Sequence, residues 1–228
     1  MKIKKPLAIL LASSLITLGI AGCSTEEKPE NSGSKTETNE TVTITGDSPI
    51  KISIKLTDGR EMIGELYPDI APISVQNFVK LINENFFDGL IFHRVISGFM
   101  IQGGGYDETF YDGNLTSKET ESIKGEFTAN GVENNLKHTR GVLSMARTSE
   151  PDSGSSQFFI MHQDSPHLDG QYAAFGKITE GLEVVDEIAS MSTTTVSGTV
   201  LFEGATYPTQ MGDVPEKPVV IETIDIIE

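Results

Sequence analysis

A chain of 228 residues with 37% hydrophobic residues has enough apolar material for one globular domain and a tail, and too little length for two large domains. Its formal net charge of −16 excludes a polyphosphate-binding role, which needs clustered Lys and Arg. The single cysteine excludes an intramolecular disulfide, so stability has to come from the core.

The chain opens with Lys2, Lys4 and Lys5, an apolar run over 7–20, and the small residues Ala21 and Gly22. That layout predicts a secretory signal peptide over 1–22. The run is shorter than the roughly 20 residues a helix needs to cross a bilayer, so a retained span is the weaker reading. Cys23 directly follows Ile20-Ala21-Gly22 and resembles the lipobox cysteine of bacterial lipoproteins. The resemblance implies lipidation of Cys23 and attachment to the outer face of the bacterial cytoplasmic membrane. The alternative is a plain thiol beside an ordinary cleavage site. A diacyl anchor holds a protein on a membrane stably where a single chain does not.

Without the three leader lysines, 14 basic residues face 33 acidic ones, a balance of −19 that an anionic lipid surface repels. A spacer is therefore useful. Residues 23–48, rich in Ser, Thr, Glu, Asn and Lys, bury too little to fold and read as a flexible acidic linker. From 24 to 47 such a coil spans on the order of 25–30 Å.

The folded domain is expected over 49–228. Ile50, Ile52, Ile54 and Leu56 alternate with polar residues, as in a strand with one buried face. Asp58-Gly59 marks a hairpin turn, and a second strand is expected over 61–67. Pro72 opens a helix, where its missing N–H costs nothing. Val75, Phe78, Val79 and Ile82 give that helix one apolar face. After a turn at Asp88-Gly89, short strands are expected around 90–96, 99–102, 141–146, 156–161 and 173–178. A second amphipathic helix follows over 181–190, with Leu182, Val185 and Ile188 inward, and a last strand near 219–227. Residues 191–218 read as a long loop. Many short strands and two helices predict a mainly β fold, an antiparallel barrel with helical caps.

Hydrolytic and metal chemistry find no footing. There is no G-x-S-x-G elbow, and Ser153-Gly154-Ser155-Ser156 leads into a strand and not a helix. His162 and His167 lack a carboxylate or cysteine at ligand spacing. Gly103-Gly104-Gly105 is not followed by a helix opening with Lys and Ser/Thr. No cofactor or metal is expected.

Three segments carry a stronger signal. They are Phe92-His93-Arg94-Val95-Ile96-Ser97-Gly98-Phe99-Met100-Ile101-Gln102-Gly103-Gly104, then Ser155-Ser156-Gln157-Phe158-Phe159-Ile160, then Leu168-Asp169-Gly170-Gln171-Tyr172-Ala173-Ala174-Phe175-Gly176-Lys177. In this order and spacing they resemble the motifs of the cyclophilins. The resemblance covers about 49–228 and implies a closed eight-stranded barrel with two helices and peptidyl-prolyl cis-trans isomerase activity.

That activity has definite physical requirements. Rotation about X–Pro faces a barrier of about 18–20 kcal/mol, because the twisting amide loses resonance. The prolyl nitrogen regains its lone pair, and a fixed cation with N–H donors stabilises it selectively in the transition state. Arg94 suits that role. It lies mid-strand between Phe92 and Ile96 on its own face, where an arginine is costly unless it is paired or lines a cleft. Strand geometry alone leaves a salt bridge on the barrel wall equally open, and the resemblance implies catalysis.

With Arg94, the resemblance implies catalytic roles for Phe99 and Gln102, the latter orienting the guanidinium. Phe99, Met100, Phe159 and Leu168 are expected to hold the proline ring. Gln157 shares a strand face with Phe159, while Phe158 and Ile160 point to the core. Ala146, Arg147 and Thr148 stand where the family binds substrate backbone. Arg147 and Thr148 replace a familiar Asn and Ala, which puts side-chain specificity there in question. His167 and Tyr172 also border the site, in place of a tryptophan and a histidine, so cyclosporin binding is expected to be weak. His93 faces away and reads as structural.

The expected partners are proline-containing segments of exported proteins and, through the anchor, the membrane. Nucleic acid is excluded, and a monomer is expected because no apolar heptad is sustained. The alternative to an enzyme is a non-catalytic module that binds proline peptides.

Overall fold

The computed structural model describes residues 49–228 apart from residue 119; the leader, Cys23 and the acidic linker lie outside the described residues. Ten strands and two α-helices follow in chain order. They are β1 (Ile50–Leu56), β2 (Glu61–Leu66), α1 (Pro72–Asn83), β3 (Leu90–Ile96), β4 (Met100–Asp107), β5 (Val142–Met145), β6 (Phe158–Met161), β7 (Ala174–Glu180), α2 (Leu182–Ala189), β8 (Thr193–Phe202), β9 (Ala205–Pro215) and β10 (Ile221–Ile227).

Eight strands form one curled antiparallel sheet in the order β10-β1-β2-β7-β5-β6-β4-β3. Its two edge strands approach each other through a single bridge, Ile91 to Val220, supported by Phe92 N donating to Val219 O at 2.9 Å. The alternation read in β1 is real: Ile52, Ile54 and Leu56 are buried. The core is filled by Phe78 of α1 packing on Phe87, Phe158 and Phe175 at centroid distances of 4.8, 5.3 and 5.2 Å. Phe158 and Ile160 of β6 point into it, as their strand parity predicts.

Helix α1 starts at Pro72 and buries Val75, Phe78, Val79 and Ile82. Its cap position, Ala71, has no side chain to satisfy the first N–H groups. The buried carboxylate of Glu126 supplies the acceptor from a distant loop, taking bonds from Ile73 N at 2.9 Å and Ser74 N at 2.8 Å.

Two expectations change. Strand β4 runs on through the glycine triplet to Asp107, because these glycines let neighbouring backbone approach closely. A Cβ on Gly104, whose φ is +83°, would stand 2.7 Å from Ser156 O. Residues 191–218 are not a loop. They form the β8–β9 hairpin, turned by Glu203-Gly204 with φ of +49° and +78°, the signs a type I′ turn requires. Both faces of most of this hairpin are exposed, so the apolar alternation that marks a half-buried strand is missing from its sequence.

The hairpin lies on the body. Thr199 N donates to Gly113 O and Leu115 N to Thr199 O, both at 2.8 Å. Val214 joins Ile91, Phe110 and Leu115 in a small apolar cluster at its root.

Candidate active site

Strands β3, β4 and β6 stand side by side, and their outward faces carry the site. Arg94 lies opposite Gln102, and Gln102 opposite Phe159. The turn between β3 and β4 presents Phe99, and the segments after β5 and β6 bring Ala146, Arg147, Leu168 and Tyr172 to the same place. Together with Met100 they enclose a cleft of about 150 Å³. Its floor is apolar: Met100, Phe159 and Leu168 pack together, with Phe99, Ala146 and Tyr172 against them.

Nine of the twelve residues expected to bind or act line this cleft; the other three sit around it. His167 stacks on Phe99 with ring centroids 5.8 Å apart. Gln157 accepts from Gln102 Nε2 at 3.0 Å, so the amide expected to orient Arg94 gives its N–H to Gln157. Thr148 turns into its own loop, its hydroxyl donating to Ser153 Oγ at 2.8 Å. Arg147 is pinned by two bonds to Gln171 O, at 3.1 and 2.9 Å, and lies 4.6 Å from the centre of the Tyr172 ring. It also borders a smaller neighbouring hollow with Phe127 and Met145.

Arg94 is partly exposed, and Asp213 of β9 bridges it, Oδ2 to Nε at 3.5 Å. Both readings left open by its strand position therefore hold at once: it lines a cleft and it is paired. His93 is buried on the opposite side, its ring 4.6 Å from Tyr106. Burial pushes its pKa down to about 3.

Three supports of the site were not legible as such. The rings of His138 and Phe159 stack at 6.1 Å. His138 Nδ1 and Nε2 meet Asp169 Oδ1 at 3.2 Å and Ser144 Oγ at 3.0 Å. Burial lowers the His138 pKa, outweighing the upward pull of Asp169, so the ring is neutral at neutral pH. Ser144 is sealed in the interior, so this Ser–His–Asp chain fixes a ring and offers no nucleophile. His162 holds the Phe99 turn: its Nδ1 accepts from Gly98 N at 2.8 Å and its backbone N donates to Phe99 O at 2.9 Å. The third support is Asp213 itself, 119 residues from Arg94 and inside the segment read as a loop.

The arrangement offers an apolar seat for one ring, the guanidinium groups of Arg94 and Arg147 beside it and, among the described residues, no accessible nucleophile–base pair. Residues 50–225 match the family described as cyclophilin type peptidyl-prolyl cis-trans isomerase/CLD. The chain is 44% identical over 164 residues to a peptidyl-prolyl cis-trans isomerase A of Dickeya dadantii, covering 69% of this chain and 75% of that one. It is 36% identical over 181 residues to peptidyl-prolyl cis-trans isomerase B of Escherichia coli, covering 75% of this chain and 97% of that one. A crystal structure of a Cryptosporidium parvum cyclophilin-type isomerase is similar with a TM-score of 0.62 and 27% identity, over 79% of this chain and 99% of that one. A second structure of that protein, determined in the presence of the dipeptide Ala-Pro, has a TM-score of 0.60 at 28% identity, over 78% and 99%.

Proposed function

Because the chain belongs to the cyclophilin-type peptidyl-prolyl cis-trans isomerase family, and is an isomerase of X–Pro bonds, we propose that the bond turns in the cleft beside Arg94. The observation that carries this reading is the meeting of the Arg94 guanidinium with the apolar floor of Met100, Phe159 and Leu168, the cleft's other guanidinium, Arg147, being tied to Gln171 O.

The proline ring seats on that floor, with Phe99 closing one side. Water is kept from the turning amide, so a charge at the rim acts through a low dielectric. As the amide twists, the prolyl nitrogen becomes pyramidal and basic. Arg94 donates to it, which stabilises the transition state more than either planar isomer. Gln157 and Gln102 brace each other at the rim. Ala146, Arg147 and Tyr172 flank the chain preceding the proline, and His167 backs Phe99 on the other side. No bond to the protein forms or breaks.

We further infer that the substrates are exported proteins, and that the enzyme works on the outer face of the bacterial cytoplasmic membrane, held by a lipid on Cys23. The Lys-rich start, the apolar run and the position of Cys23 support this. Labelling with a fatty-acid analogue tests it: incorporation in wild type and none in Cys23→Ala is the expected result.

The test of the site is isomerisation of a proline test peptide by wild type and Arg94→Ala. Loss on the order of 100-fold in a folded variant supports the reading. Peptide binding without acceleration by wild type would make the protein a binding module on this frame.

A further inference from the structure

The only salt bridge that Arg94 makes among the described residues is to Asp213, and Asp213 reaches it by a departure from regular strand geometry. Strands β8 and β9 pair in register from Phe202 and Ala205 to Val196 and Met211, then again at Thr194 and Val214. Between these points two residues of β9, Gly212 and Asp213, face the single residue Thr195 of β8. The pairing thus contains a β-bulge, a device that re-aims a side chain. Asp213 has φ +59°, a left-handed conformation that costs an aspartate more than a glycine.

Both flanks of the bulge are fixed. Val214 is completely buried, and the Tyr111 hydroxyl donates to Pro215 O at 2.9 Å. The carboxylate engages the Nε edge of Arg94. Among the described residues the Nη1 and Nη2 groups make no hydrogen bond, so they remain for a substrate. Gln102, the other group placed to orient the guanidinium, donates its Nε2 to Gln157, and among the described residues its Oε1 takes no hydrogen bond from Arg94.

We propose that Asp213 is a positioning residue for Arg94, and that the β8–β9 hairpin is the arm that delivers it. Holding the guanidinium by its Nε edge fixes the direction of the Nη donors before the amide twists, so no reorientation is needed at the barrier. An ion pair this exposed contributes little to folding, so its loss shows in catalysis first. The inference rests on the reading of Arg94 as the catalytic cation.

The experiment measures kcat and KM for a proline test peptide with the full chain, as wild type, D213N, D213G, R94A and R94A/D213N. D213N keeps the side-chain shape and removes the charge. D213G also relaxes the left-handed backbone. We expect D213N and D213G each to lose about tenfold in kcat with KM within about twofold. D213G should melt no lower than wild type. In the R94A background D213N should change nothing further, a coupling that a merely structural role would not produce. Unchanged or raised kcat in D213N and D213G overturns the proposal, as does the same tenfold loss in the R94A background. Full activity of R94A would remove the catalytic reading beneath it, and the proposal with it.

Discussion

Glu126 and Ser74 are joined twice: one carboxylate oxygen accepts the Ser74 backbone N–H at 2.8 Å and its hydroxyl at 2.7 Å. The other oxygen takes Ile73 N, so one buried side chain closes the N-terminus of α1. Glu126→Ala therefore leaves buried donors unsatisfied at a helix that packs Phe78 into the core. A loss of about 2–4 kcal/mol is expected, read from the urea midpoint at unchanged slope. A loss below about 0.5 kcal/mol would mean that water replaces the cap.

The burial of His93 makes stability depend on pH. Its folded-state pKa, about 3, lies below the unfolded value near 6.5, so below pH 6.5 the unfolded chain binds the extra proton. The contribution is complete above pH 6.5 and is lost as the pH falls from 6.5 towards 3, by about 1.4 kcal/mol per unit. His138 acts in the same direction. Denaturant midpoints measured between pH 7 and 4 should fall more steeply in wild type than in His93→Phe. Equal slopes would place the acid sensitivity elsewhere.

The hairpin is seated by the absence of a side chain. A Cβ on Gly198 would stand 2.1 Å from Gly113 O. Gly198→Ala should lift the hairpin at a cost of about 1–3 kcal/mol locally. Chymotrypsin should then cut faster at the exposed Phe202, while the main sheet stays resistant. Unchanged cleavage would show that the contact yields without displacement.

His167 on Phe99 sets the expected response to cyclosporin. A tryptophan in that place offers an indole N–H and more apolar area than an imidazole. Inhibition by the drug should need micromolar concentrations, and His167→Trp should strengthen it about tenfold or more. Low-nanomolar inhibition of the wild type would defeat the expectation.

What the sequence made legible followed from short-range order. The parity of Phe158 against Phe159 separated core from cleft, and the spacing of Val75, Phe78, Val79 and Ile82 gave the face of α1. The motif segments brought the cleft residues to the right strands because each lies within one strand or one turn. Two of the misses are long-range. Glu126 caps a helix that starts 54 residues earlier, and Asp213 meets an arginine 119 positions away. Neither pairing leaves a local periodicity. Thr148 was placed at the cleft by its neighbours, but a hydroxyl two steps from Glu150 and five from Ser153 closes its own loop first. The hairpin was lost because a strand exposed on both faces has no apolar parity to read, and Glu203-Gly204 is a less familiar turn pair than Asn-Gly.

Strand β1 lies between β2 and β10, so the earliest strand of the domain to be synthesised has to wait for the latest before one of its edges is covered. Until residue 227 is available, the row of unpaired groups from Lys51 to Leu56 stays open to any passing β-segment. A chain delivered N-terminus first thus cannot complete its sheet part-way through delivery. It stays threadable until the end, then closes in one late, non-local step, the kind of step that makes a β-rich domain slow to fold.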